Sequence, residues 1–163
     1  MKKIQITDVI FYGVGGQGVL TAAEVMGWAA LLNGHHVKKT EVHGMAQRGG
    51  SVESFIRFGK QVYSPLPVDS HVDFLVCLHP EEHVRFKDNL KPRGVDLIKY
   101  LEKAREAVAD KKQFTNTFML GVLSHYLSIP ESCWLTAMEK VFHRSIEENK
   151  AFFAQGRKMG GSL

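Results

Sequence analysis

Two stretches of this sequence carry residue types and spacings suited to chemistry. The first is Gly13-Val14-Gly15-Gly16-Gln17-Gly18, set between an apolar run, Val9-Ile10-Phe11-Tyr12, and a long segment rich in Ala, Leu and Met. Gly13, Gly15 and Gly18 satisfy GxGxxG between a strand and a helix. The first glycine permits a tight turn, the second admits a ligand to the backbone, and the third lets helix and strand close together. The helix start that follows offers unpaired N–H groups and a positive dipole end to an anion. The second stretch is His43-Gly44-Met45-Ala46-Gln47-Arg48-Gly49-Gly50, leading into Ser51. Arg48 cannot lose its charge and carries a planar fork that matches carboxylate or phosphate. Gly49 and Gly50 leave the backbone beside it open.

Both stretches also have plainer readings. With an acid about 20 residues further on, here Glu41, GxGxxG describes a site for NAD or FAD; the same glycines equally describe a purely structural turn. Arg48 marks either an anion site or a solvated surface loop. His43 is either a functional residue of its loop or a cap on a strand end.

The elements that must position these residues follow from periodicity and punctuation. Ile4 to Tyr12 reads as a strand and Val19 to Leu32 as a helix whose Leu20, Ala23 and Ala30 cover a sheet, with Asn33-Gly34 as its stop. His36 to Val42 is expected as the second strand. Ser51 to Phe58 alternates as a half-buried strand, and Gly59-Lys60 predicts a hairpin turn into Val62-Tyr63. Val72 to Leu78 is the continuous apolar run of a strand buried on both faces, and Pro80-Glu81-Glu82 then opens a helix. The two glycine loops thus leave neighbouring strands at one edge of one sheet, where open α/β sheets bind ligands.

Beyond Pro92 and Gly94 only Val95-Asp96-Leu97-Ile98 precedes a charged helix over Lys99 to Asp110, which predicts a shortened or missing strand. Asn116 and Ser128 are predicted N-caps of two further helices, the second with Pro130 at its first position. The expected fold is α/β. It is a three-layer Rossmann-like domain with a mostly parallel sheet, an antiparallel hairpin or edge strand, and a helical C-terminal third, in one domain over residues 1–163.

Composition narrows the function classes. The chain has 163 residues, 44% hydrophobic, and a formal charge of +4 from 21 basic and 17 acidic residues. The charges are mixed along the chain, so nucleic acid is not indicated. There is no run long enough to span a bilayer, and Met1-Lys2-Lys3 leads into a strand rather than a signal peptide, so a cytoplasmic protein is expected. Cys77 and Cys133 are isolated from each other and from other thiols, which offers no disulfide framework and no iron–sulfur ligand set. His79-Pro80-Glu81-Glu82-His83 has the wrong offsets for a zinc motif and is expected to be a solvated helix start. No GxSxG elbow or P-loop lysine occurs. Trp28, Phe118, Trp134, Phe142, Phe152 and Phe153 read mostly as core.

Taken together, Gly13 to Gly18 and Glu41-Val42-His43-Gly44-Met45-Ala46-Gln47-Arg48-Gly49-Gly50-Ser51-Val52 resemble the gamma-type subunit or domain of the 2-oxoacid:ferredoxin oxidoreductases. The His-Gly-Met-Ala-Gln-Arg-Gly-Gly form is most similar to the indolepyruvate branch, where this polypeptide is the small beta subunit. The resemblance extends to Val72–Leu78, to Asn116–Leu127 with Gly121, and to Asn149-Lys150-Ala151-Phe152 before Gly156; the short passage after Gly94 departs from it. It implies a subunit, inactive alone, of an enzyme that decarboxylates a 2-oxoacid on thiamine diphosphate, passes electrons through [4Fe-4S] clusters to ferredoxin, and releases an acyl-CoA. A large partner chain would hold thiamine diphosphate and the clusters, with coenzyme A as co-substrate. This chain would cover the active site, its C-terminal helices meeting the partner. Arg48 would contact an anion and Gln47 and Ser51 would support it. His43 would lie nearby, and Gly13, Gly15, Gly16, Gly18, Gly49 and Gly50 would allow close backbone approach. Without the second loop, the alternative is a stand-alone nucleotide-binding module.

Overall fold

The computed structural model describes residues 5–43, 49–67 and 69–163. Its centre is β1 (Ile6–Val14), whose Val9, Ile10, Phe11 and Tyr12 have no solvent exposure. Such a run, apolar on both faces, belongs in the middle of a covered sheet. The chain then crosses in α1 (Val19–Leu32), as the spacing predicts, and returns through β2 (His36–His43), β3 (Ser51–Gly59), β4 (Val72–Cys77) and β5 (Leu90–Asp96). The sheet order is β2-β3-β1-β4-β5. β1, β4 and β5 are parallel neighbours, while β3 runs antiparallel to both β2 and β1. Among the described strands only β3 opposes the common direction.

The antiparallel pairing differs from the expected one. Val62-Tyr63 is not a strand, because β3 already has β2 on one side and β1 on the other, which leaves no ladder for a strand returning after Gly59. Instead Arg57 holds that segment. Its Nη1 donates to the carbonyl oxygens of Ser64 at 3.2 Å and Leu66 at 2.5 Å, and Val62 is buried. The same guanidinium meets Asp8 across the β1–β3 pair, Nε to Oδ1 at 2.6 Å, and Lys91 closes the cluster at 3.4 Å from Asp8 and 3.0 Å from Asp73. Burial pushes the Asp8 carboxyl above its ordinary value although Arg57 and Lys91 pull it down.

The strand near Gly94 is neither missing nor confined to the residues after it. β5 starts at Leu90 and runs through Pro92, which an edge strand tolerates, and its register against β4 shifts between Val72 and Phe74. Gly94 is required there: a side chain would press on the Asp73 carbonyl oxygen, 2.9 Å from the Cβ position.

The C-terminal third is helical, with α2 (His83–Phe86) a single turn before β5, then α3 (Leu101–Val108), α4 (Thr115–Tyr126), α5 (Glu131–Val141) and α6 (Ile146–Met159). The charged segment enters α3 through a 3-10 turn, Leu97–Tyr100. Two boundaries move from expectation. Asn116 lies inside α4 because a 3-10 turn, Lys112–Phe114, precedes it, and α5 begins at Glu131 with Pro130 as its cap rather than Ser128. α1 packs on one sheet face with α4 and α5. On the other face, Tyr12 stacks on Phe86 of α2, with ring centroids 4.5 Å apart.

α4 and α6 cross closely enough that a Cβ on Gly121 would meet the Phe153 carbonyl and one on Gly156 the Phe118 carbonyl. Backbone cannot give way as a flexible side chain can. Gly156→Ala is therefore expected to destabilise the fold by about 3 kcal/mol, the upper part of the overpacking range. Urea unfolding with an unchanged midpoint would contradict this crossing.

Candidate functional site

The two glycine turns meet. β1 and β3 pair up to Gly13 with Val52 and Val14 with Ser51, and immediately beyond, the Gly15 amide donates to the Gly50 carbonyl at 2.8 Å. A Cβ on Gly15 would stand 3.3 Å from the Gly49 nitrogen, so the approach is main chain to main chain. Gly16 and Gly49 both sit at φ +90°, and among the described residues no atom lies within 4 Å of a Cβ position at either. These two left-handed glycines form the uncovered face of the turns, where an incoming group can reach bare backbone.

Other residues of the first turn face inward. Gln17 accepts from the Val14 amide at 2.9 Å and donates to the Leu78 carbonyl at 3.0 Å, tying the turn to the end of β4. Gly18, at φ +76°, caps α1, whose first turn has no side-chain cap. Its carbonyl accepts from Ala22 N at 3.0 Å and from the buried Asn116 Nδ2 at 3.2 Å. Asn116 Oδ1 takes the Thr117 amide at 2.8 Å, the Thr117 hydroxyl lies 2.6 Å from Asn149 Oδ1, and Asn149 Nδ2 donates to the Ser145 carbonyl at 3.0 Å. A buried polar chain thus links the first turn to the start of α6.

Ser51 is tied to α2 and the turn before it. Its hydroxyl donates to Glu82 Oε2 at 2.5 Å, Arg85 donates to both Ser51 and Glu82, and Glu53 stands 3.9 Å from Arg85. The Ser51 hydrogen bond and the Arg85 guanidinium hold the Glu82 carboxyl below its ordinary value, whereas burial pushes Glu53 up. Beside this cluster Tyr12 OH lies 2.7 Å from His83 Nδ1, and His83 Nε2 lies 3.1 Å from Asp96 Oδ2. Burial pushes the Tyr12 hydroxyl up and the Cys77 thiol to about 11, which leaves Cys77 unreactive, its sulfur 3.2 Å from the His79 carbonyl.

The sequence model of the pyruvate ferredoxin/flavodoxin oxidoreductase family matches residues 8–159. The chain belongs to that family. It is 44% identical over 88 residues to indolepyruvate oxidoreductase subunit IorB of Thermococcus kodakarensis, covering 54% of this chain and 44% of the relative. It is 34% identical over 113 residues to the pyruvate/ketoisovalerate oxidoreductases common subunit gamma of Pyrococcus furiosus, covering 64% and 57%. The match thus spans less than half of the indolepyruvate relative. Among solved structures, the fold resembles the gamma subunit of keto/oxoacid ferredoxin oxidoreductase from Geobacter sulfurreducens, with a TM-score of 0.71 at 21% identity, covering 94% and 95% of the two chains. It also resembles 2-oxoglutarate:ferredoxin oxidoreductase from Magnetococcus marinus with 2-oxoglutarate, coenzyme A and succinyl-CoA bound, with a TM-score of 0.82 at 16% identity, covering 99% of this chain and 32% of the other.

In this oxidoreductase-family chain the fold brings Gly13, Gly15, Gly16, Gln17, Gly18, Gly49, Gly50 and Ser51 together at one edge. Gln47 and Arg48 lie outside the described residues. His43 ends β2 with its ring largely exposed, 3.8 Å from Glu41. Glu41 itself argues against the dinucleotide reading: β3 intervenes between β2 and β1, and Glu41 pairs with Lys39 at 2.8 Å on the outer strand. Sequence reasoning missed Asn116, Glu82, Arg85 and the Tyr12–His83–Asp96 line, because their contacts to Gly18, to Ser51 and between Tyr12 and His83 join residues far apart in the chain; Asn116 was legible only as a cap.

Two outcomes test this geometry. Asn116→Ala should lower stability by about 1–3 kcal/mol by stranding buried polar groups. Combined with Gly18→Ala, whose Cβ would strike the Asn116 amide, it should give less than the sum of the two single changes. Glu82 has a depressed carboxyl, so its contribution is present above the ordinary value of 4.5 and lost as pH falls through the lower folded value. The stability gap between the native chain and Glu82→Gln should therefore shrink as denaturation is repeated from pH 7 down towards pH 3, and a constant gap would refute the assignment.

Proposed function

We propose that this chain is the small subunit of a 2-oxoacid:ferredoxin oxidoreductase, with an arylpyruvate such as indolepyruvate as substrate, and that residues 1–163 form one gamma-type domain of that enzyme. The observation that carries the proposal is the abutment of two glycine turns, Gly15 N to Gly50 O at 2.8 Å, in a chain of this family. The names of the Thermococcus and Pyrococcus relatives support an indolepyruvate or related 2-oxoacid.

In this reading the open backbone at Gly16 and Gly49 accepts close approach of an anionic group, a carboxylate or the diphosphate of coenzyme A, and Arg48 supplies the matching charge. Gln17 and Ser51 act as supports, since their polar atoms hold the two turns in place. Gln47 is assigned with Ser51 to supporting hydrogen bonds, and His43 to the neighbourhood of Arg48. The chain's task is to close the site against water and orient the acid, which favours charge interactions there. Thiamine diphosphate, when bound by the large partner subunit, supplies the electron sink for decarboxylation. Two cysteines do not fit the four thiolates of a [4Fe-4S] cluster, so the clusters that lead to ferredoxin are assigned to the partner as well. We assign the complex to the cytoplasm, with no role for nucleic acid or a membrane.

Co-expression with a cluster-bearing large subunit should give a stable complex that reduces ferredoxin or viologen only with arylpyruvate and coenzyme A together. Arg48→Ala should leave assembly intact and lower kcat/KM by about ten- to a hundredfold, the loss of one charge-assisted contact. Failure to assemble, or full activity of Arg48→Ala, would count against the reading.

A further inference from the structure

The outer edge of β2 is built to receive a strand. Among the described residues β2 pairs on one side only, with β3, through eight consecutive positions from His36 to His43 without a register shift. The opposite edge, β5, is interrupted by Pro92, Gly94 and an irregular register, devices that keep an edge from accepting another strand. β2 has no proline, glycine or bulge, and most of its residues are exposed. Lysines also guard edges. Here, however, Lys39 is answered by Glu41 on the same strand face, 2.8 Å away.

We infer that β2 pairs antiparallel with β2 of a second copy of this chain, about a two-fold axis passing Thr40. Alternation along the strand puts Val37, Lys39, Glu41 and His43 on the α1 face, Val37 lying beside Gly27 of that helix. When both copies keep α1 on the same side of the joined sheet, residues opposite each other must share a face. With Thr40 opposite the partner's Thr40, Lys39 stands opposite the partner's Glu41 and Glu41 opposite the partner's Lys39. Moving the axis to position 39 opposes two lysines, and moving it to position 41 opposes two glutamates. Slips that break face matching turn each copy's exposed side chains to the wrong side. Charge complementarity therefore favours the Thr40 register over those centred on 39 and 41, and the self-complementary contact closes as a dimer with a continuous ten-stranded sheet. The inference uses edge geometry alone, so it stands or falls separately from the oxidoreductase reading.

Sedimentation equilibrium of the full 163-residue chain, with circular dichroism as the folding control, tests it. A concentration-dependent dimer is expected. Lys39→Glu and Glu41→Lys, each of which sets like charges opposite one another twice, should weaken it by about tenfold or more, while the double reversal should restore it to within about threefold. Hydrogen exchange should show β2 amides gaining protection as the concentration rises, a readout that needs no variant. A monomer at the highest attainable concentration would overturn the inference. So would a dimer indifferent to the single reversals whose β2 amides exchange alike at low and high concentration.

Discussion

The antiparallel ladder between β1 and β3 is the constraint on which the remaining structure depends. It runs unbroken from Ile6 opposite Gly59 to Val14 opposite Ser51. Because a slip of one residue would turn every side chain of β3 to the wrong face, the ladder is fixed by burial of Ile56 and Phe58 on one side and of Arg57 on the other. Its last pair delivers the second glycine turn to the first. Among the described residues no side chain bridges the two turns there, and a Cβ on Gly15 would press on the Gly49 nitrogen. The glycines serve this contact before they serve any ligand.

β3 in that position has two further effects. It uses up the pairing capacity of β1 on that side, so the segment after Gly59 cannot return as a strand and is held instead by Arg57. It also displaces β2 outward, which removes Glu41 from the place a ribose-binding acid would occupy. A buried guanidinium needs a counter-charge, and Asp8 supplies it from the neighbouring strand. Lys91 and Asp73 extend the cluster towards β5, so one group of four charges locks strands from both halves of the sheet.

At the opposite end of β1 the polar interior serves the site. Gly18, Asn116, Thr117, Asn149 and Ser145 form a relay of hydrogen bonds from the first glycine turn to the start of α6, where the α4–α6 crossing, close at Gly121 and Gly156, brings Thr117 to Asn149. Ser51, Glu82 and Arg85 do the same for the second turn from α2. The uncovered glycines, Gly16 and Gly49, are thus backed by rigid connections on both sides. That is the arrangement expected of a surface that must present bare backbone in one fixed shape.

Much of this was legible in the sequence because it is local. The apolar run of β1, the glycine turn, the bounds of α1 at Val19 and Leu32, the buried run of β4 and the family-like pair of glycine loops follow from composition and spacing within short windows. Strand order was not legible, since alternation in Ser51 to Phe58 shows a half-buried strand without showing which neighbours it has. Pro92 and Gly94 looked like interruptions until β4 was placed beside them. Asn116 carried the signature of a cap, and only the packing of α4 against the first turn gave its amide the Gly18 carbonyl. The sequence by itself determined which segments can turn, cross and be buried, because those properties depend on φ, side-chain volume and polarity along the chain. Tertiary structure alone decided which polar groups face one another, because a hydrogen bond or ion pair depends on distance in space, and the chain separates Asp8 from Arg57 and Gly18 from Asn116 until the ladder and the helices bring them together.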